Sequence, residues 1–388
     1  MAKGFFSIKS EHKPNYIFLL VSLFLLLAGF IALASASSDI GKIRFNNTYY
    51  YLFEQLIKGL IPGLVGFFAG YLIYYRKIKK ASLYLFLINL VLLVLVFVPK
   101  IGINANGSRR WIGFGSFSFQ PSELLKITYI LYIASLFSGQ RIKKLSNSSG
   151  GWKNYGIFFA VSAIVGALIF FEPATTMALV LLVSGMVVYF LSGKSLKQIV
   201  SQIILSGAVA ILAIIALSII TPYRMARIVP FWNDIAQKFF PSAVVKTENT
   251  DTYHLNQALM AIGTGGVSGV GFGNSTSKYS ILPEPMGDSI FAVIAEEFGF
   301  AGSLVLIFAY FLLFWQSIRI AQKSNDDFAR LTVVGFASIL AMQTIIHIGA
   351  NTGLLPYTGV PLPFISYGGT SLAITLTMTG IIANISKY

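Results

Sequence analysis

The 388-residue chain has no cysteine, only three histidines and few charges of either sign. Charged residues make up 11% of it, against roughly 25% in an ordinary soluble domain. Without cysteine there is no disulfide, no cysteine-ligated zinc and no thiol nucleophile. Acids are the scarcer sign, 14 against 29 bases, for a net charge of +15. In a soluble protein that balance would suggest nucleic acid. Here so little charge is present that its distribution matters more than its size, and nothing beyond charge supports a nucleic-acid partner. What fills the chain instead is apolar: 55% of the residues are hydrophobic, a composition that cannot be wrapped around a single soluble core.

Apolar runs of about 20 residues, the length that crosses a bilayer, recur along nearly the whole sequence. The pattern predicts an all-α polytopic integral membrane protein with about ten transmembrane helices, at residues 16–37, 55–75, 82–99, 119–138, 155–172, 174–192, 199–220, 289–318, 330–351 and 367–386. The first run follows Lys3, Lys9 and Lys13 and ends LASASS. It is longer than a signal-peptide core and reads as a retained span. With the N-terminus inside, most of the 29 basic residues fall on inner segments, although the outer segments are longer. This orients the chain in a plasma membrane with both termini cytoplasmic. Two long outer segments result, 100–118 and 221–288, the second between helices 7 and 8. Loops of that length usually carry function. A third, LLPYTGVPLPFIS, is apolar and rich in Pro and Gly, and is expected to dip back toward the membrane. Residues 1–388 read as a single transmembrane domain.

Charge inside a span is costly and suggests function. FQPSELLK places Glu123 and Lys126 three residues apart on one helical face. They form either an internal ion pair or, with Arg109 and Arg110 of NGSRRW just outside, a cationic site for a phosphate or pyrophosphate. Lys58 also lies in a span. Only Lys126 shares a face with Glu123 near the two arginines, so Lys126 is expected to matter more for activity. The adjacent acids Glu296 and Glu297 are expected to pair with a base such as Lys126 rather than relay protons. Glu172 beside Pro173 reads as a turn or cap, and His347 as a packing and hydrogen-bonding residue. GTGGVSGVGFGN, residues 263–274, superficially resembles a phosphate-binding loop but lacks the preceding strand and the Lys-Ser/Thr ending. It reads as a flexible or closely packed turn. Asp288 stands where the proline-punctuated ILPEPMGD enters an apolar helix, as either an N-cap or a working carboxylate.

SRRWIGFGSFSFQPSELLK, AIGTGGVSGVGFGNS, LPEPMGDSIFAVIAEEFGFAGS and NTGLLPYTGVPLPFISYGGTSL together resemble, in order and spacing, the RodA/FtsW family, also called SEDS proteins. The resemblance covers essentially all 388 residues. It implies ten transmembrane helices and a peptidoglycan glycosyltransferase that polymerises lipid II at the outer face of the cytoplasmic membrane, in cell division or in cell elongation and shape. GNSTSKYSILPEP favours the FtsW-like branch. A class B penicillin-binding protein is the implied partner, beside membrane lipid. Matched motif by motif, the family's essential acid falls on Asp288 and its Arg-Trp pair on Arg110 and Trp111. Its Gln-Pro-Ser-Glu and following Lys fall on Gln120, Pro121, Ser122, Glu123 and Lys126, and its Ser-Tyr-Gly-Gly on Ser366, Tyr367, Gly368 and Gly369.

The chain departs from the family in four places. It has Gly287-Asp288-Ser289 where His-Thr-Asp-Phe is common, Ser118 where some members carry a base, Glu172-Pro173-Ala174 for Gln-Pro-Asp, and His347 for a common Asn. On this reading Asp288 is the base for an acceptor hydroxyl, and Arg109, Arg110 and Lys126 hold the departing pyrophosphate. No motif requires a cofactor, and a divalent cation is compatible with the leaving group. Two other classes would use the same residues: a transporter that flips lipid II, and a non-catalytic scaffold for a penicillin-binding protein. Charges gathered toward the outer face, with no inverted repeat, favour the enzyme.

Overall fold

The computed structural model describes residues 12–99, 101–105, 108–114, 117–138, 150–172, 174–193, 199–205, 207, 250–279 and 282–388. Helix α1 (Tyr16–Ala36) starts on Asn15, whose side chain accepts the Phe18 amide. Short α2 (Ser38–Phe45) ends on Asn46 in the left-handed region. Helix α3 (Tyr50–Gln55) runs through one π-helical stretch, Leu56–Leu60, directly into α4 (Ile61–Leu72). Then come α5 (Tyr75–Leu95), an antiparallel sheet of β1 (Gly102–Ala105), β2 (Ser108–Phe114) and β3 (Phe117–Phe119), and α6 (Pro121–Phe137), which has Pro in its first turn, where no amide donor is needed. Helices α7 (Gly150–Phe171), α8 (Thr175–Leu191), α9 (Thr250–Gly265), α10 (Ile290–Lys323), α11 (Asp327–Asn351) and α12 (Gly369–Ile385) complete the order.

Among the described residues six helices are long and apolar enough to cross a membrane: α1, the continuous α3–α4 unit, α5, α7 from Trp152, α10 and α11, with α8 and α12 as shorter apolar helices. Together with α6 and the helical residues 199–205, they fall in order on the ten expected spans, so the protein is a multi-pass membrane protein. Residues 206 and 208–249, which include most of the seventh span, lie outside the described residues. Two refinements follow. The segment 100–118 is largely a sheet rather than a loop, and the described part of the 221–288 segment carries a helix, α9.

Lipid tails supply no hydrophobic drive between helices, so close packing must come from small residues. The α3–α4 unit and α12 show this. A methyl added at Gly66 would stand 2.0 Å from the Thr377 hydroxyl oxygen, and one at Gly380 would stand 2.2 Å from the Phe67 carbonyl. A second device braces α10. At Gly299 the chain takes φ 67°, ψ −166° and the helix kinks, a conformation essentially confined to glycine. The backbone groups freed by the kink are taken up by the glycine-rich turn after α9. Val270 and Gly271 amides donate to the Glu296 and Glu297 carbonyls, and Phe300 and Ala301 amides donate to Gly266 and Val267. The GTGGVSGVGFGN segment is therefore a closely packed turn.

The second half of the segment between α11 and α12 packs into the protein. Val360, Leu362, Phe364 and Ile365 are buried, and α1 approaches so closely that a methyl at Gly29 would stand 2.3 Å from the Phe364 carbonyl. Buried non-helical backbone must have its polar groups satisfied, and the Tyr310 hydroxyl donates to one of its carbonyls, Pro363, at 2.5 Å.

Candidate functional site

Asp288 lies in the turn leading into α10, and the helix cap falls on Ser289. Asp288 is thus held one residue outside the helix and is not its N-cap. Its surroundings come from three parts of the chain. The Asn351 amide at the end of α11 donates to the Asp288 carbonyl at 3.0 Å, and the Ser366 hydroxyl donates to Gly287 at 2.9 Å. The Tyr367 amide donates to Met286 at 2.9 Å. The carboxylate lies against Gly359, where φ is +59° and a methyl would come within 2.9 Å of Oδ2. Ser289 bonds the Pro283 carbonyl and the Tyr357 hydroxyl, and Tyr357 in turn packs on His254 of α9. The backbone of the turn that carries this half-buried acid is therefore held by bonds from α11 and from the segment before α12. His347 has the packing role expected of it, with Nδ1 on the Val360 carbonyl at 2.7 Å.

The Ser366–Gly369 run reaches the opposite way as well. Tyr367 donates its hydroxyl to Glu54, and the Gly368 amide donates to Gln55 Oε1 at 3.0 Å. A methyl at Gly369 would stand 2.7 Å from the Lys58 carbonyl, so only glycine lets the two backbones meet. Lys58 Nζ pairs with Glu54 Oε1 at 2.5 Å, with side-chain exposures of 36% and 19%. The expected span began at residue 55, and that cut separated Glu54 from its i+4 partner.

The arginines and Lys126 are held differently. Arg110 is the extra residue where the β1–β2 register shifts, and the two arginines of β2 reach different partners. Arg109 is exposed and reaches the Phe97 carbonyl at 3.5 Å, while Arg110 Nε donates to the Glu172 carbonyl at 2.9 Å. Trp111, opposite Ile103 in the sheet, is half-buried. Ser122, fully buried, accepts from the Gln120 amide at 3.0 Å. Lys126 and Glu123 form a 2.6 Å pair with exposures of 0% and 5%, the internal-pair arrangement rather than an open cationic site. The expected convergence of Arg109, Arg110 and Lys126 on one anion is not what these residues form.

Glu172 sits fully buried beside this cluster, just beyond the end of α7. Burial pushes its carboxyl up to about 7, against the opposing pull of the Ser122 hydroxyl and then the Arg110 guanidinium. Neither carboxylate oxygen has a hydrogen bond of normal geometry.

The acids of α10 also find partners other than the one anticipated. Lys278, from the segment between α9 and α10, pairs with Glu297 Oε1 at 3.0 Å and donates to Ser35 of α1 at 2.9 Å. Glu296 accepts from the Ser275 hydroxyl at 2.6 Å and the Thr276 amide at 3.0 Å. Structural pairing with a base holds for Glu297, with Lys278 in place of Lys126, while Glu296 is held by hydroxyl and amide donors. Among the described residues no group of three or more His, Cys, Asp or Glu side chains converges as a metal site would.

About ten helical spans, a buried non-helical segment and an acid in a braced turn at a helix entrance define a class: a polytopic helical membrane protein. The family described as "Cell cycle protein", FtsW/RodA/SpoVE, matches residues 15–388. The chain belongs to that family. It is 33% identical over 378 residues to Stage V sporulation protein E of Bacillus subtilis, covering 97% of each chain. It is 36% identical over 368 residues to the probable peptidoglycan glycosyltransferase FtsW of Coxiella burnetii, covering 94% of each. Among solved structures it is similar, at TM-score 0.76 and 26% identity over 96% of this chain and 97% of the other, to one described as "Structural coordination of polymerization and crosslinking by a peptidoglycan synthase complex". It is also similar to Thermus thermophilus rod shape determining protein RodA, at TM-score 0.67 and 25% identity over 96% of each chain.

Proposed function

We propose that the protein is a peptidoglycan glycosyltransferase that polymerises lipid II at the outer face of the cytoplasmic membrane, in an FtsW-like role in division, with both termini cytoplasmic and a class B penicillin-binding protein as partner. Relatives named as peptidoglycan glycosyltransferases along almost the whole chain support the activity. The observation that carries the mechanism is Asp288, braced outside its helix by Asn351, Ser366 and Tyr367 with its carboxylate against Gly359.

In the proposed step an acceptor sugar hydroxyl attacks the anomeric carbon of the donor. The new C–O bond forms as the bond to pyrophosphate breaks, and the electron pair leaves with the polyprenyl pyrophosphate. The hydroxyl proton passes to the Asp288 carboxylate, and one carboxylate suffices for a single inverting displacement. Rigid placement matters because a base acts only within hydrogen-bond reach of the proton it takes. Positive charge must meet the leaving group, and exposed Arg109 is available for it. Arg110, tied to the Glu172 backbone, orients the sheet above α6. Gln120, Ser122, Glu123 and Lys126 support the same corner from within. Ser366, Tyr367, Gly368 and Gly369 brace the Asp288 turn against the α3–α4 unit.

The transporter reading retains two supports, a kinked helix at Gly299 and a buried non-helical segment, features by which transporters build substrate paths. Polymerisation of labelled lipid II by the purified protein, with and without its partner, tests the enzyme. Glycan product supports it. Headgroup translocation in sealed vesicles without product would replace it with the transporter.

A further inference from the structure

The reading above leaves the leaving group short of cations, since Lys126 and Lys278 are sealed into ion pairs and Arg110 is committed to the Glu172 carbonyl. The α3–α4 unit supplies another. Lys58 lies eight residues past Tyr50, so at 1.5 Å per residue its backbone sits about 12 Å along the helix from the end that bears the polar site. A base at that depth is expensive unless it faces something polar. It faces Glu54, which Tyr367 also contacts, and through Tyr367 and Ser366 it joins the backbone bonds that hold Met286 and Gly287 beside Asp288.

The helix surface divides into three tracks. Gln55 and Gly59 are buried, while Phe53, Ile57 and Ile61 are exposed and apolar. Glu54 and Lys58 occupy the border between them, at the π-helical stretch Leu56–Leu60. Such stretches are frequent at functional sites. A half-exposed cation beside an exposed apolar track matches one chemistry, an anionic phosphate head on a long hydrocarbon tail.

We propose that Lys58 receives the pyrophosphate of the polyprenyl-linked substrate, with Glu54 holding the ammonium in place beforehand and the Phe53–Ile57–Ile61 track accepting the tail. The inference rests on the glycosyltransferase reading for its substrate, and it reverses the expected ranking of Lys126 over Lys58 as the ligand-contacting base. A charge-assisted contact of this kind contributes roughly ten- to a hundredfold in affinity.

The test is equilibrium binding of undecaprenyl pyrophosphate, and of the uncharged undecaprenol, to the full-length protein in nanodiscs. Lys58→Gln should weaken pyrophosphate binding at least about tenfold and leave the alcohol unchanged, and Lys58→Arg should recover most of the loss. The double variant Glu54→Gln/Lys58→Gln, which leaves no unpaired charge if the single variant fails to fold, should show the same loss. Equal pyrophosphate affinity in either folded Gln variant and the parent overturns the proposal, as does an equal loss for the alcohol. Binding is read without turnover. A parent that binds through Lys58 but makes no glycan leaves this inference standing while the enzyme reading falls. Glycan synthesis by a parent whose binding ignores Lys58 does the reverse.

Discussion

Two helical acid–base pairs have nearly the same local geometry and opposite surroundings. Glu123 and Lys126 stand three residues apart on α6 at 2.6 Å, and Glu54 and Lys58 stand four apart on the α3–α4 unit at 2.5 Å. The first is sealed; the second opens to the protein surface. Sequence spacing reports that two side chains share a helix face. It does not report what covers that face, and here the cover decides the role. A sealed pair is a structural element whose charges must stay together. An open pair next to the Asp288 turn can exchange its partner for a ligand.

The comparison breaks most sharply at Lys126. Lys126→Ala leaves the Glu123 charge buried alone and should cost about 3–5 kcal/mol of stability, read by thermal unfolding in nanodiscs. Unchanged stability with lost turnover would show that Lys126 is a ligand contact after all. Next is Glu172, whose carboxyl is raised from an ordinary 4.5 to about 7. Its native environment favours the protonated form, so its contribution to stability is complete below about 4.5 and is lost as pH rises through about 7. Between pH 5 and 8 the parent should lose up to about 3 kcal/mol that Glu172→Gln retains. Parallel pH profiles for parent and variant would contradict the burial argument. The smallest effect belongs to the Arg76–Asp326 pair, with Arg76 60% exposed. Arg76→Ala should change stability by less than about 1 kcal/mol, and a larger loss would mean that access is not what grades these pairs.

Helices were legible because ten apolar runs separated by polar segments leave few alternatives in a bilayer. The Asp288 turn was legible through its motif and its position before an apolar helix, and the apolar, glycine- and proline-rich composition of LLPYTGVPLPFIS is consistent with the burial of its second half. What escaped was tertiary. Lys278 reaches Glu297 and Ser35 across 19 and 243 residues, a pairing no local pattern announces. Glu54 escaped for a humbler reason: a span begun at residue 55, when the helix starts at Tyr50, hid an i,i+4 pair. The sheet at 102–119 was hidden by small residues and arginines in a segment too short to show a clear alternation. The kink at Gly299 was latent in two glycine-rich strings, but their interlocking through Gly266–Gly271 required the fold.

The central claim is that Asp288, held outside the α10 cap, takes the acceptor proton, and substitution by Asn tests it most directly. Asn keeps the size and hydrogen-bonding reach of the side chain but cannot accept a proton as a carboxylate does. Purified Asp288→Asn protein, with its penicillin-binding partner and labelled lipid II, should fold and bind that partner like the parent. Its polymerisation rate should fall roughly a hundredfold to ten-thousandfold. Glycan synthesis above about a tenth of the parent rate, outside the range of a lost general base, would contradict the account.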